Sequence, residues 1–243
     1  MLSTHVFIIS WAGQHENAVS IAKTLRNAAS QISIVYSDPN PGLTLDVDCE
    51  LINRPDELFW GDKFKACLDA CHADLMLVIH GDCECDDWGS LLQKCRLTMD
   101  ASPVIGVWAP LVDWTALDIR RTRIVEIKPG TLSVVAQTDA IVFCLSTPVM
   151  QRMKLAKYAG NTYGWGIDAM AVAFCYANKL LAVVDESIAV KHPKARGYEG
   201  DVARGQAKAF LSQLSLLETV QNRLLWAHVK NNDIANRALA KKE

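Results

Sequence analysis

Two carboxylates, Asp82 and Glu84, follow closely on the wholly apolar run Leu75-Met76-Leu77-Val78-Ile79. Residues two apart in an extended chain project to the same side, so this pair is placed to share one cation. Hard divalent ions such as Mn or Mg are commonly gripped by one or two carboxylates, with phosphate oxygens and water completing the shell. A lone D-x-E needs context, because the same acids could solvate a turn while Asp86 or Asp87 caps the next helix. A second stretch with chemical content is Tyr158-Ala-Gly160-Asn-Thr-Tyr163-Gly164-Trp165-Gly166, which leads through Ile167-Asp168 into an apolar helix. Aromatic rings on a glycine-rich loop offer a stacking platform to the C–H face of a sugar, whose hydroxyls seek acids. The plainer alternative is that Trp165 anchors the loop by burial.

The elements that must position these residues follow from periodicity. An apolar run without polar residues is covered on both faces, which predicts a central parallel strand, and open α/β sheets bind ligands at the carboxyl ends of such strands. Upstream, residues 5–9 predict a strand, and Ala18, Ile21, Ala22, Leu25 and Ala29 share one helical face. Strand 32–36 stops at Ser37-Asp38-Pro39-Asn40-Pro41-Gly42, and residues 43–53 read as irregular or short-stranded. Pro55 and Asp56 open a helix with Phe59, Phe64, Cys67, Leu68 and Cys71 at helical spacing. A helix over 88–99 and a strand over 104–109 complete an alternation that predicts a parallel sheet with right-handed crossovers. Beyond it come short β segments near 124–127, 134–137 and 141–145, a helix over 148–157, a helix over 169–176 and a strand over 180–184. Residues 199–243 read as helical, with Phe210, Leu211, Leu214, Leu217, Leu224 and Leu225 as an apolar stripe.

Composition limits the function classes. The chain has 243 residues, half of them hydrophobic, with 25 basic against 27 acidic residues. No charge run gives the footprint of a nucleic-acid binder. The apolar stretches are strand-sized, short of the ~20 residues a spanning helix needs, so a cytoplasmic location is expected, with peripheral membrane association left open. Eight cysteines include no C-x-x-C, so buried reduced thiols are expected rather than a zinc knuckle. Neither G-x-G-x-x-G nor G-x-x-x-x-G-K-S/T occurs, which removes a dinucleotide cofactor and a P-loop.

With Asp82-Cys83-Glu84, Gly164-Trp165-Gly166-Ile167-Asp168 and His192 in this order, the chain resembles the GT-A fold glycosyltransferases, particularly the family-2-like nucleotide-sugar enzymes. The resemblance covers about residues 5–198. It implies a Rossmann-like, mainly parallel mixed sheet flanked by helices, with a nucleotide-binding half (1–112), an acceptor half (113–198) and a helical extension (199–243). It further implies Asp82, Glu84 and His192 as ligands of Mn or Mg, Ser10, Trp11, Asp38 and Asp82 around the nucleotide, Trp165 and Gly166 near the sugar or acceptor, and Asp168 as the base. The implied activity moves a sugar from a nucleoside diphosphate sugar, UDP being favoured, to a glycan or glycolipid hydroxyl, with inversion. Glu84 stands where the family has a second Asp, and Ile167 where it has the first acid of a pair. A sugar nucleotidyltransferase and a binding module without activity are the competing readings. The C-terminal helix either packs on the domain or makes a homodimer contact.

Overall fold

The computed structural model describes residues 2–40, 42–193 and 199–239. The expected boundary at residue 198 lies outside the described residues. The elements in chain order are β1 (Thr4–Ser10), α1 (His15–Leu25), β2 (Gln31–Tyr36), β3 (Glu50–Asn53), α2 (Phe59–Ala70), β4 (Leu75–His80), α3 (Trp88–Ala101), β5 (Ile105–Val112), α4 (Ile119–Thr122), β6 (Arg123–Ile127), β7 (Leu132–Val135), β8 (Val142–Ser146), α5 (Thr147–Lys154), α6 (Ile167–Ala177), β9 (Leu181–Val190), α7 (Gly200–Leu211) and α8 (Leu216–Leu239).

One sheet runs in the order β3-β2-β1-β4-β8-β5-β9-β7-β6. β1 pairs in parallel with β2 and β4, with Val6 opposite both Ile32 and Leu77. Every residue of β1 and Leu75 to Ile79 of β4 are buried, as expected for strands covered on both faces. Phe7 and Ile9 point into a core with α2, α5 and α6, where Phe64 stacks between Trp60 at 5.3 Å and Phe143 at 5.8 Å. Val6 and Ile8 point the other way, against Ile21 of α1 and Leu91 and Leu92 of α3. Truncating a ring as enclosed as Phe64 costs about 3–5 kcal/mol.

The simple parallel alternation is corrected in one respect. β4 and β5 are not neighbours; β8 lies between them, antiparallel to both, with Leu77 and Trp108 each opposite Cys144. The reason is composition: Val142 to Leu145 are all buried, so this short strand needs apolar cover on both faces, and the sheet centre supplies it. The segment expected as strand 134–137 pairs only to Val135, and residues 136–139 form a loop. Asp87 caps α3, its carboxylate accepting from the Ser90 N–H at 2.9 Å.

The C-terminal stripe divides. A break at residues 212–215 separates α7 from α8, so Phe210 and Leu225 are buried while Leu217 and Leu224 remain 53% and 60% exposed. Leu225 and Val229 join the core cluster that contains Met170 of α6, and the His228 Nε2 approaches the Arg123 carbonyl at 2.8 Å.

Candidate active site

The strongest grouping of chemical side chains is built by a turn. β4 ends at His80, and the Cys83 N–H donates to the His80 carbonyl at 3.2 Å, closing a turn over residues 80–83. Gly81 sits at its centre with its amide on the Ile9 carbonyl at 2.8 Å, and a Cβ there would approach that oxygen to 3.0 Å. Asn17 of α1 braces the turn, donating to the Gly81 and Cys83 carbonyls at 2.7 and 2.9 Å. Past the turn, Glu84 and Lys191 exchange both backbone hydrogen bonds, at 3.0 and 2.8 Å, and this returns the chain after β9 to the end of β4. His192 therefore lands beside Asp82, its Nε2 3.6 Å from Oδ2, while the His80 Nδ1 lies 4.0 Å from Asp82 Oδ1.

His80, Asp82 and His192 each offer a ligand atom within 4.8 Å of the others. Each also has a buried polar atom without a hydrogen-bond partner: His80 Nε2, Asp82 Oδ1 and His192 Nδ1. Buried polar atoms are ordinarily paired, so such a cluster calls for a ligand. Burial, and secondarily His192, push the His80 pKa down to about 3, which keeps the ring neutral with a lone pair to give. Burial raises the Asp82 carboxyl, and His192 opposes it. Glu84 lies outside the group, its side chain exposed, because the turn ends the extended geometry on which its expected pairing with Asp82 depended. The residues two apart that do share a side are His80 and Asp82. The His-x-Asp spacing was visible at the end of the apolar run.

Aromatic rings enclose the group. Trp11 meets His80 edge-on at 6.0 Å, Trp60 lies 5.3 Å from it, and Trp114 stacks on His192 at 6.3 Å with an interplanar angle of 12°. The backbone N–H of His192 donates to the Asp113 carboxylate at 3.0 Å.

At the ends of β1 and β2, Ser10, His15 and Asp38 form a closed chain. His15 Nδ1 lies 2.8 Å from Ser10 Oγ, and its Nε2 lies 3.0 Å from Asp38 Oδ2. A carboxylate only accepts, so Nε2–H donates to Asp38, and in the neutral ring Nδ1 accepts the Ser10 hydroxyl proton. The Asn40 N–H, bonded to Asp38 Oδ1 at 2.7 Å, and His15 hold the Asp38 carboxyl below its ordinary value. His15, at the first position of α1, was not apparent from the sequence because its partners are 5 and 23 residues away.

Asp168 lies in the first turn of α6, whose capping position is Gly166 at φ +87°. Burial, followed by the charge of Asp139, pushes its pKa up to about 7, against backbone hydrogen bonds that lower it. The acid whose charge adds to this rise is Asp139, from the loop after β7, while the residue before Asp168 in sequence is the apolar Ile167. The charge of Asp139, with those of Asp82 and Asp113, also adds to the upward push that burial gives the Cys83 thiol. The aromatic loop is seated on α2. A Cβ on Gly164, at φ +73°, would fall 2.1 Å from the Trp60 ring, and one on Gly61 would fall 1.9 Å from the Asn161 carbonyl. Trp165 is half-buried, with its carbonyl accepting from Asn161 Nδ2 at 3.2 Å, and the loop ends at the α6 N-terminus.

No protein-family model matches the sequence, and no curated protein matches it. Solved structures do. TarS of S. aureus superposes with a TM-score of 0.62 at 12% identity, over 95% of this chain and 43% of that one. GalNAc-T7, solved with UDP, GalNAc and Mn2+, gives 0.61 at 11% identity, over 82% of this chain and 45% of that one. The mannosyltransferase PcManGT from Pyrobaculum calidifontis, in complex with GDP-Man and Mn2+, gives 0.57 at 11% identity, over 98% and 75%. The chain therefore spans under half the length of the first two. The likeness establishes a GT-A fold, as the sequence resemblance implied.

Proposed function

We propose that this GT-A chain is a glycosyltransferase that moves a sugar from a nucleoside diphosphate sugar, UDP being the favoured nucleotide, to a hydroxyl of a glycan or glycolipid acceptor with inversion. The observation that carries the reading is the group His80, Asp82 and His192 at the carboxyl end of a central strand, three side chains each with a buried, unpaired polar atom. Their donor set of two imidazoles and one carboxylate fits a transition ion such as Mn better than Mg, which prefers oxygen. When bound, such an ion neutralises charge on a leaving diphosphate. Ser10, Trp11 and Asp38 take the base and ribose, with Asp38 accepting from an imide N–H. Trp165 and Gly166 border the sugar and acceptor. Asp168 takes the proton of the acceptor hydroxyl as its oxygen bonds to the anomeric carbon and the bond to the diphosphate breaks. A base with a pKa of about 7 is matched to that role at neutral pH, because it is partly ionised and still basic. The nucleotidyltransferase alternative calls for a basic, glycine-rich loop after β1, and residues 10–17 contain one glycine and no Lys or Arg.

Calorimetry with UDP, in Mn and in chelator, tests the reading together with release of UDP from a panel of UDP-sugars. Mn-dependent UDP binding with turnover of one sugar donor is the expected result. Equal UDP binding with and without Mn would remove the metal assignment. Mn-dependent binding without turnover on any donor and acceptor would leave a binding module.

A further inference from the structure

Sixteen large apolar side chains are exposed among the described residues, and six of them, Leu216, Leu217, Val220, Leu224, Trp226 and Ile234, lie on α8. The inner side of this helix is well anchored. Leu225 and Val229 are buried, and Asn232 and Asn236 donate to the carbonyls of Arg121 and Arg120 at 3.1 and 3.0 Å. The outer leucines are thus not needed to hold α8 in place. Leu216, Val220 and Leu224 recur every fourth residue and share one side, 84%, 43% and 60% exposed. Leu155, 79% exposed, extends the patch at the start of the helix, where Arg152 bridges to Glu218 at 2.7 Å and the Lys157 N–H is held by Gln213 Oε1 at 2.7 Å.

The charges around the stripe have one sign. Arg223 and Lys230, both exposed, flank it, and Lys157 stands beside Leu155. Of the acids on α8, Glu218 is buried against Arg152, and Asp233 is bridged by Arg121 at 3.2 Å and Arg237 at 2.9 Å. The outward side is therefore apolar and cationic on a chain whose net charge is −2. A second copy would bring like charges together. A nucleic acid would satisfy the bases but give the leucines no apolar layer. An anionic bilayer matches both features.

We propose that the outward face of α8 docks on an anionic phospholipid surface, with Leu216, Val220 and Leu224 entering the interfacial layer and Arg223 and Lys230 meeting the headgroups. Cosedimentation with vesicles of phosphatidylcholine, with and without phosphatidylglycerol, tests it. The protein should partition onto the anionic vesicles, not the neutral ones, and release as salt is raised. The pair Arg223→Glu and Lys230→Glu should weaken partitioning at least tenfold, and the pair Leu216→Ser and Leu224→Ser about tenfold, without lowering the melting temperature, since all four side chains are exposed. Absence of binding to anionic vesicles at low salt overturns the assignment, as does binding that both variants leave unchanged. Self-association abolished by the leucine pair, without vesicle binding, assigns the face to a second copy instead. The assay uses neither metal nor nucleotide, so its failure leaves the transferase reading untouched.

Discussion

Two corners of the sheet place an imidazole beside a carboxylate at strand ends, and they are built differently. In the Ser10–His15–Asp38 corner each ring nitrogen has a partner, at 2.8 and 3.0 Å. In the His80–Asp82–His192 group the imidazole-to-carboxylate approaches are 3.6 and 4.0 Å, too long for hydrogen bonds, and each residue retains a buried unpaired atom. Ligands each about 2.1 Å from a shared ion stand roughly 3–4 Å apart. In the first corner both ring nitrogens are satisfied within the protein, which leaves the further lone pairs of Asp38 for a ligand, while the second has the spacing of side chains held apart for something between them.

The sharpest extension of this contrast is a third carboxylate, Asp168, raised by burial and by Asp139. Asp168→Asn should lower turnover about 100-fold to 10,000-fold with donor affinity nearly intact, measured by steady-state kinetics and calorimetry. On the proposed reading, the acid limb of the native protein's rate profile should rise through about pH 7, as Asp168 ionises, and the variant should lose that limb. The effect on stability has the opposite sign. A carboxyl held above its unfolded value contributes stability at low pH that is lost as pH rises through about 7, so Asp168→Asn should melt higher than the native protein at pH 8 and no higher at pH 4. Near-native turnover by the purified variant would reduce Asp168 to a helix-end residue.

The next largest effect breaks the open group itself. Asp82→Ala should weaken Mn affinity about 100-fold or more, yet leave the metal-free protein no less stable, because the buried Oδ1 has no hydrogen bond to lose and the imidazoles stand 3.6 and 4.0 Å from the carboxylate. A metal titration unchanged in Asp82→Ala would collapse the distinction between the two corners. His15→Ala is the converse experiment. It breaks a satisfied chain, so it should cost about 1–3 kcal/mol in denaturant unfolding and leave Mn affinity within a factor of two. Stability unaltered by that change would show the Ser10–His15–Asp38 chain to be idle. The smallest effect is expected at Glu84→Gln: the side chain is exposed and its structural contribution is a backbone pair with Lys191 that glutamine keeps, so Mn affinity should move by less than twofold.

What the sequence determined by itself was everything that depends on local repetition. The unbroken apolar runs of β1 and β4 announced central strands, helical spacing announced α1, α2 and α3, and the order of acids, aromatic loop and His192 carried the resemblance to the GT-A fold. Asp82 stood out because an acid at the end of an apolar strand is conspicuous in one dimension. What only the tertiary structure decided was which residues meet. β8 enters between β4 and β5 because burial of a short apolar strand is satisfied across the sheet rather than along the chain. His80 replaces Glu84 beside Asp82 because a turn over four residues, braced by Asn17 from another element, ends the alternation of sides. The charge of Asp139 reaches Asp168 from a loop, and His15 meets Asp38 from the start of α1, pairings across the chain that carry no periodic signal. Periodicity reports which face of an element is buried, and hydrogen bonds closed between distant segments decide what that face is buried against.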